Sequence, residues 1–338
     1  NLFLLAAWQL TLFLSCSWAN TMSLSNPIAI IFPFLFYIWL VLQIDRYEKE
    51  PYGWIIAVFF WGAIPTTMLS MATEIGLTIA IRPFFDQITL TYINYGLITP
   101  IAEETFKGLA VLLMYFLVRR EFDDWVDGII YGSMAGFGFA VIEKLLQSIS
   151  VIDSEVWQEN YLINIIAFGF AHAIYTAFIG IGFGIARLAP KQRTKWLAPL
   201  CGWLGAVLAH SAYDLGNFYG QSHGNQTLIW NAIAYLISAG VMIYLIIRAI
   251  AYQKIRLRQY LPEEVPKTIL ESNYFALCGQ KNNQQSYFQL KQRHPRKFIQ
   301  LCGELAQRKE QLAKLGKQAR FSHEIEPLRQ KIRALQRL

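Results

Sequence analysis

An all-α polytopic membrane helix bundle of about eight transmembrane helices, followed by a cytoplasmic helical tail, is the fold class this 338-residue sequence predicts. Three observations predict it. Hydrophobic residues make up 54% of the chain and charged residues 16%, where a soluble protein carries about a quarter charged. The mean hydropathy is +0.31. The apolar residues also come in runs long enough to cross a hydrocarbon layer of about 30 Å as helices.

Eight runs read as spans, at about 2–19, 28–44, 53–81, 94–118, 126–151, 161–187, 197–217 and 227–249. The first ends in Ser17-Trp18-Ala19, which loosely resembles a signal-peptide cleavage site, but no basic stretch precedes it and it is read as a span. Loop charge sets the orientation. The loops at 45–52, 119–125 and 187–196 hold 2, 2 and 4 basic residues, the loop at 82–93 holds 1, and those at 20–27, 152–160 and 218–226 hold none. Lys and Arg concentrate on the cytoplasmic side of membrane proteins, so the even-numbered loops and both termini are expected in the cytoplasm.

The chain divides by composition into a transmembrane domain, 1–250, and a basic tail, 251–338, which holds 18 of the 30 Lys and Arg against 7 acidic residues. A tail lying beside anionic lipid explains this excess without any nucleic-acid partner. Leu305, Leu312 and Leu315, then Ile325, Leu328, Ile332 and Leu335, recur near helical spacing. They predict one or two amphipathic, solvated helices broken near Gly316 and Pro327. The four cysteines, Cys16, Cys201, Cys278 and Cys302, form no CxxC pair, which argues against a disulfide framework or a cysteine zinc site.

Four spans break the apolar rule. Each ionisable residue costs roughly 2.5–3.5 kcal/mol at the bilayer centre. Yet the fourth span carries Glu103, Glu104 and Lys107, the fifth Glu143 and Lys144, the sixth His172, and the seventh His210 and Asp214. Counted from the outer ends, Glu104, Glu143, His172 and His210 lie about 10, 8, 11 and 7 residues deep, roughly 10–17 Å at 1.5 Å per residue. One polar, watered cavity at a single depth is expected. Lys107 lies i,i+4 from Glu103 and i,i+3 from Glu104, so it can neutralise either, and His210 and Asp214 are also i,i+4. Glu103 and Glu104 point about 100° apart, so only one can face a given spot. Gly128, Gly132 and Gly136, with Gly180 and Gly184, predict close helix packing. Asp127 is expected to cap the fifth span, Glu74 to lie at the interface and Lys144 to snorkel.

The ordered motifs EETFK (Glu103 to Lys107), FAVIEK (with Phe139 and Glu143), FAHA (His172) and HSAYD (His210 and Asp214), with the loop DRYEKEP, resemble the PrsW family of membrane-embedded proteases. That family belongs with the type II CAAX prenyl endopeptidases in a wider superfamily of glutamate-dependent intramembrane proteins. The resemblance covers about 28–250. Lys144 departs from it, standing where relatives often have Asn. The resemblance implies a bacterial plasma-membrane endopeptidase whose partner is a membrane-tethered substrate, anti-sigma-factor-like or a lipidated peptide.

Peptide hydrolysis needs an activated water, a base and an oxyanion stabiliser. Glu104, or less favourably Glu103, is expected as the base. His172 and His210 would orient the water or stabilise the oxyanion, with Asp214 fixing His210, Lys107 offsetting the carboxylates and Glu143 completing the ring. No cofactor is favoured, because no HExxH pairing is present. The alternative is zinc on His172, His210, Glu104 and Asp214. A non-catalytic scaffold of the same superfamily and a proton-coupled transporter are the competing functions.

Overall fold

The computed structural model describes residues 25–45, 47–150, 165, 168–223, 226–278, 294–316 and 322–336. Every regular element among them is helical. Expected span 2–19 and most of the first part of span 161–187 lie outside the described residues.

Helix α1, Ser25–Leu42, ends where Lys49 Nζ donates to the Leu42 carbonyl at 2.8 Å. Helices α2, Tyr52–Trp61, and α3, Thr67–Ile81, continue one another through a π turn, Gly62–Thr66. Pro65 lies in that turn; it has no N–H for the helical ladder, and the wider turn absorbs the missing bond. Asp86 starts α4, Gln87–Ile93, by accepting from the N–H groups of Ile88 and Thr89. A second π turn, Asn94–Ile98, leads into α5, Thr99–Leu117, with Pro100 in its first turn, where a missing N–H costs little.

Helix α6, Trp125–Ser150, is capped by Asp124 and not by Asp127 as expected. Asp124 Oδ1 accepts from the N–H groups of Val126 and Asp127, while Asp127 Oδ2 reaches back to those of Asp123 and Asp124. The two carboxylates satisfy each other's turn reciprocally, as in a capping box. Helices α7, Ala171–Arg187, α8, Gln192–His223, and α9, Gln226–Tyr260, complete the bundle. Helices thus cover seven of the eight expected segments, and α9 runs well past the expected end at 249.

Among the described residues, three helical stretches, Tyr52–Phe84, Trp125–Ser148 and Ile229–Tyr260, are long and apolar enough to cross a membrane by length and composition. Helix α5 carries three charged residues, and α7 is described over 17 residues. The outer wall exposes Phe32, Met68, Leu208, Leu236 and Ile247. An apolar exterior of this kind suits lipid and not water, and the chain is an integral membrane protein.

Inside, α6 is buried on nearly all sides through Val126, Ile129, Tyr131, Met134 and Phe137. Its glycines bring backbone against backbone. A Cβ on Gly136 would strike the carbonyl of His172, and one on Gly132 that of Thr176. Helices α6 and α7 therefore touch along the face that carries the site.

The C-terminal residues are not a free solvated pair. Helices α10, Glu271–Cys278, α11, Pro295–Leu315, and α12, Ile325–Gln336, share an apolar core with the end of α9, through Leu257, Leu261, Phe298, Leu305, Leu328 and Ile332. Gly316, at φ 53°, ends α11, and Pro327 sits in the first turn of α12. Two buried guanidiniums join this core to the bundle. Arg256 pairs with Asp124 and with Glu310 at 2.9 Å; Arg308 pairs with Asp123 and with Glu324 at 3.1 Å.

Candidate active site

Four bundle helices, α5 to α8, bring their ionisable residues to one point. Lys107 Nζ donates to Glu103 Oε2 at 2.9 Å, to Glu104 Oε1 at 2.8 Å and to His172 Nδ1 at 3.0 Å. An ammonium only donates, so Nδ1 of His172 accepts and its ring proton is assigned to Nε2. That nitrogen faces Glu143 Oε2 at 2.9 Å. His210 Nδ1 lies 3.1 Å from Glu104 Oε1, and its Nε2 lies 3.4 Å from Asp214 Oδ2 and 3.8 Å from Glu103 Oε2. The two imidazoles stand edge to face with centroids 5.1 Å apart.

Each side chain is aimed by local structure. Helix α5 is held from two sides, by Trp61 Nε1 on the Phe106 carbonyl and Trp203 Nε1 on Thr105 Oγ1, both at 3.1 Å. Arg187 at the end of α7 donates to the carbonyls of Tyr115 and Phe122, which fixes α7 to the end of α5. The Phe139 ring lies 4.0 Å from Lys107 Nζ and 5.1 Å from the His172 ring, so the aromatic face meets the cation.

The two adjacent glutamates differ. The Glu104 side chain is 0% exposed and its oxygens accept from Lys107, His210 and Thr176, the last through Oγ1 at 2.9 Å. Glu103 is 10% exposed and, among the described residues, accepts only through Oε2 from Lys107.

Two residues outside the expected set belong here. Thr176 binds Glu104, and its i,i+4 spacing from His172 is a signal the sequence did contain. Tyr175 stacks on His210 with centroids 5.1 Å apart, and its buried hydroxyl finds no partner among the described residues. Glu74 accepts from Thr99 Oγ1 at 3.0 Å, tying α3 to the start of α5. Lys144 lies at the margin, bonded to Gln147 Oε1 at 2.9 Å and 3.6 Å from Glu143.

Glu103, Glu104, His172 and His210 offer ligand atoms within 4.8 Å of one another, a donor set that could hold a metal ion. Glu103 takes the place given to Asp214 in the expected ligand set; Asp214 stands behind His210. The donor types suit zinc, but the positions do not: three of these atoms already converge on the Lys107 ammonium.

Comparison with known proteins agrees with the motifs. The family model described as PrsW family intramembrane metalloprotease matches residues 50–250. The chain is 26% identical over 183 residues to Protease PrsW of Geobacillus kaustophilus, covering 50% of this chain and 69% of that protein. It is 28% identical over 176 residues to Protease PrsW of Halalkalibacterium halodurans, covering 50% and 73%. With Protease PrsW of Bacillus subtilis the identity is 27% over 174 residues, covering 50% and 72%. No solved structure matches.

Proposed function

Because this chain belongs to the PrsW family of intramembrane proteases, we propose that it is an endopeptidase that cleaves a membrane-tethered protein with a water activated by Glu103. The observation that carries the reading is the meeting of Glu103, Glu104, Lys107, Glu143, His172 and His210 from four helices inside an apolar bundle. A general base needs a free lone pair within reach of water. Glu103 has one and its buried side chain keeps 10% exposure, whereas Glu104 is sealed and already accepts from three donors. This reverses the preference for Glu104 over Glu103 expected from the sequence.

In its imidazolium form, with Nδ1–H on Glu104, His210 also presents Nε2–H between Glu103 and Asp214, where it is the donor best situated to hold the attacking water or the tetrahedral oxyanion. His172 is engaged on both nitrogens and acts as a positioning residue between Lys107 and Glu143. Glu104 orients His210 from the other side. The substrate class, an anti-sigma-factor-like or lipidated membrane-tethered protein, follows from the family resemblance. So does the assignment to a bacterial plasma membrane, with eight spans and both termini cytoplasmic by loop charge. The 251–338 segment is a cytoplasmic appendage to the 1–250 protease domain.

The test is cleavage of a membrane-tethered reporter by Glu103→Gln and Glu104→Gln variants of equal expression. Loss of a general base lowers the rate by about 10²–10⁴-fold, and this is expected for Glu103→Gln. Full cleavage by Glu103→Gln with loss in Glu104→Gln would return the base to Glu104.

A further inference from the structure

We infer that Lys107 is the resident cation of this site: its ammonium stands where a divalent metal would have to sit, so the chain does not hold zinc while Lys107 is in place. Removing the ammonium opens a metal site of two histidines and two glutamates. The inference rests on the reading of this cluster as the reactive centre, but its test does not depend on turnover.

Three of the four clustered ligand residues spend a lone pair on Lys107 Nζ, at 2.9, 2.8 and 3.0 Å. Those three acceptors saturate the three N–H bonds of an ammonium. The Phe139 ring at 4.0 Å adds a further cation-binding face. Zinc binds the same nitrogen and oxygen atoms at about 2.0–2.2 Å. The cage is therefore nearly an ångström wider about its centre than zinc requires, and a positive charge already fills it.

Lys107 also has nowhere to retreat. Its side chain is 0% exposed, and its stem rises from the same helix as both glutamates, one turn away. A bare divalent ion placed beside it would meet an ammonium within bonding range of every shared ligand. The donor set and the description of the family as metalloproteases both suggest metal; the position of Lys107 in this chain argues the other way.

The experiment is elemental analysis of the purified full-length chain in detergent, equilibrated with excess zinc sulfate and then desalted. Wild type is expected to retain well under one zinc per chain, and Lys107→Ala about one, since four N/O ligands then converge on an empty centre. The double variant Lys107→Ala with His210→Ala should lose that zinc again. Wild type retaining about one zinc per chain, lost in a His172→Ala or His210→Ala variant, overturns the inference. So does a monodisperse Lys107→Ala protein that stays free of zinc. Should Lys107→Ala fail to fold, the wild-type measurement decides alone. A wild type that is free of zinc and also inactive on every reporter counts against the protease reading and leaves this one standing.

Discussion

Thr176 shows how far the buried carboxylate depends on an uncharged neighbour. Its hydroxyl is the donor to Glu104 Oε2, while Lys107 and His210 share Oε1. Thr176→Val keeps the shape and deletes the donor, leaving half of a sealed carboxylate unsatisfied. A loss of about 1–3 kcal/mol is expected, read as a lower melting temperature in detergent; an unchanged melting temperature would mean that Oε2 is satisfied by something else. Charged residues announce themselves in an apolar span because lipid makes them expensive, and on that ground Glu103, Glu104, Lys107, Glu143, His172, His210 and Asp214 were legible in the sequence. Thr176 and Tyr175 stood out far less, because neutral groups cost little at the same depth; only the i,i+4 spacing of Thr176 from His172 pointed to it. The choice between Glu103 and Glu104 was also hidden: spacing fixes the angle between them but not which one faces the packed side.

At the scale of elements, backbone contact between α6 and α7 sets where His172 stands. Gly136→Ala would push a methyl into the His172 carbonyl and the Ala173 Cα. Overpacking of this kind costs about 1–3 kcal/mol, and it should lower reporter cleavage along with stability by shifting α7. Gly76 on α3 is the control: a Cβ there meets nothing within 4 Å. Gly76→Ala should be neutral or stabilising by up to about 1 kcal/mol, through helix propensity alone. Equal damage from both variants would refute the distinction. Hydropathy located the helices well but their ends poorly, because ends are chosen by local bonds. Asp86 starts a helix several residues before the apolar run at 94, and Asp124 displaces Asp127 as the cap. Helix α9 carries charge past 249 because Arg256 has buried acids to meet.

Across the whole molecule, the join between bundle and C-terminal core concentrates buried charge. Asp45 Oδ1 accepts from Gln253 Nε2 at 3.0 Å, while Oδ2 is buried with no partner among the described residues. Burial pushes the Asp45 carboxyl up from 3.8 to about 6, with the Glu48 N–H working against it and Asp124 adding to it. The folded state thus holds this proton more tightly than the unfolded chain does. Its contribution is full below about pH 4 and is lost as the pH rises through about 6. Asp45→Asn mimics the protonated form and should stabilise the chain at pH 8 by up to about 3 kcal/mol, from ~2 units at ~1.4 kcal/mol each, with little effect near pH 4. A pH-independent effect in thermal melts would exclude this cause. The sequence could count the basic residues of the tail, but not that Arg256 and Arg308 would be drawn inward by Asp123 and Asp124, since pairing across more than a hundred residues leaves no local pattern.

Those two arginines also separate kinship from self-sufficiency. The family match ends at residue 250, six positions before Arg256. A fragment cut there would inherit every glutamate and histidine of the cluster. It would also lose the guanidiniums that pair with Asp123 and Asp124, between the EETFK helix and its neighbour, together with the C-terminal core that packs beside them. In this chain the segment that matches the family is tied by two buried ion pairs to residues beyond the match, so a transplant of the one needs a graft from the other.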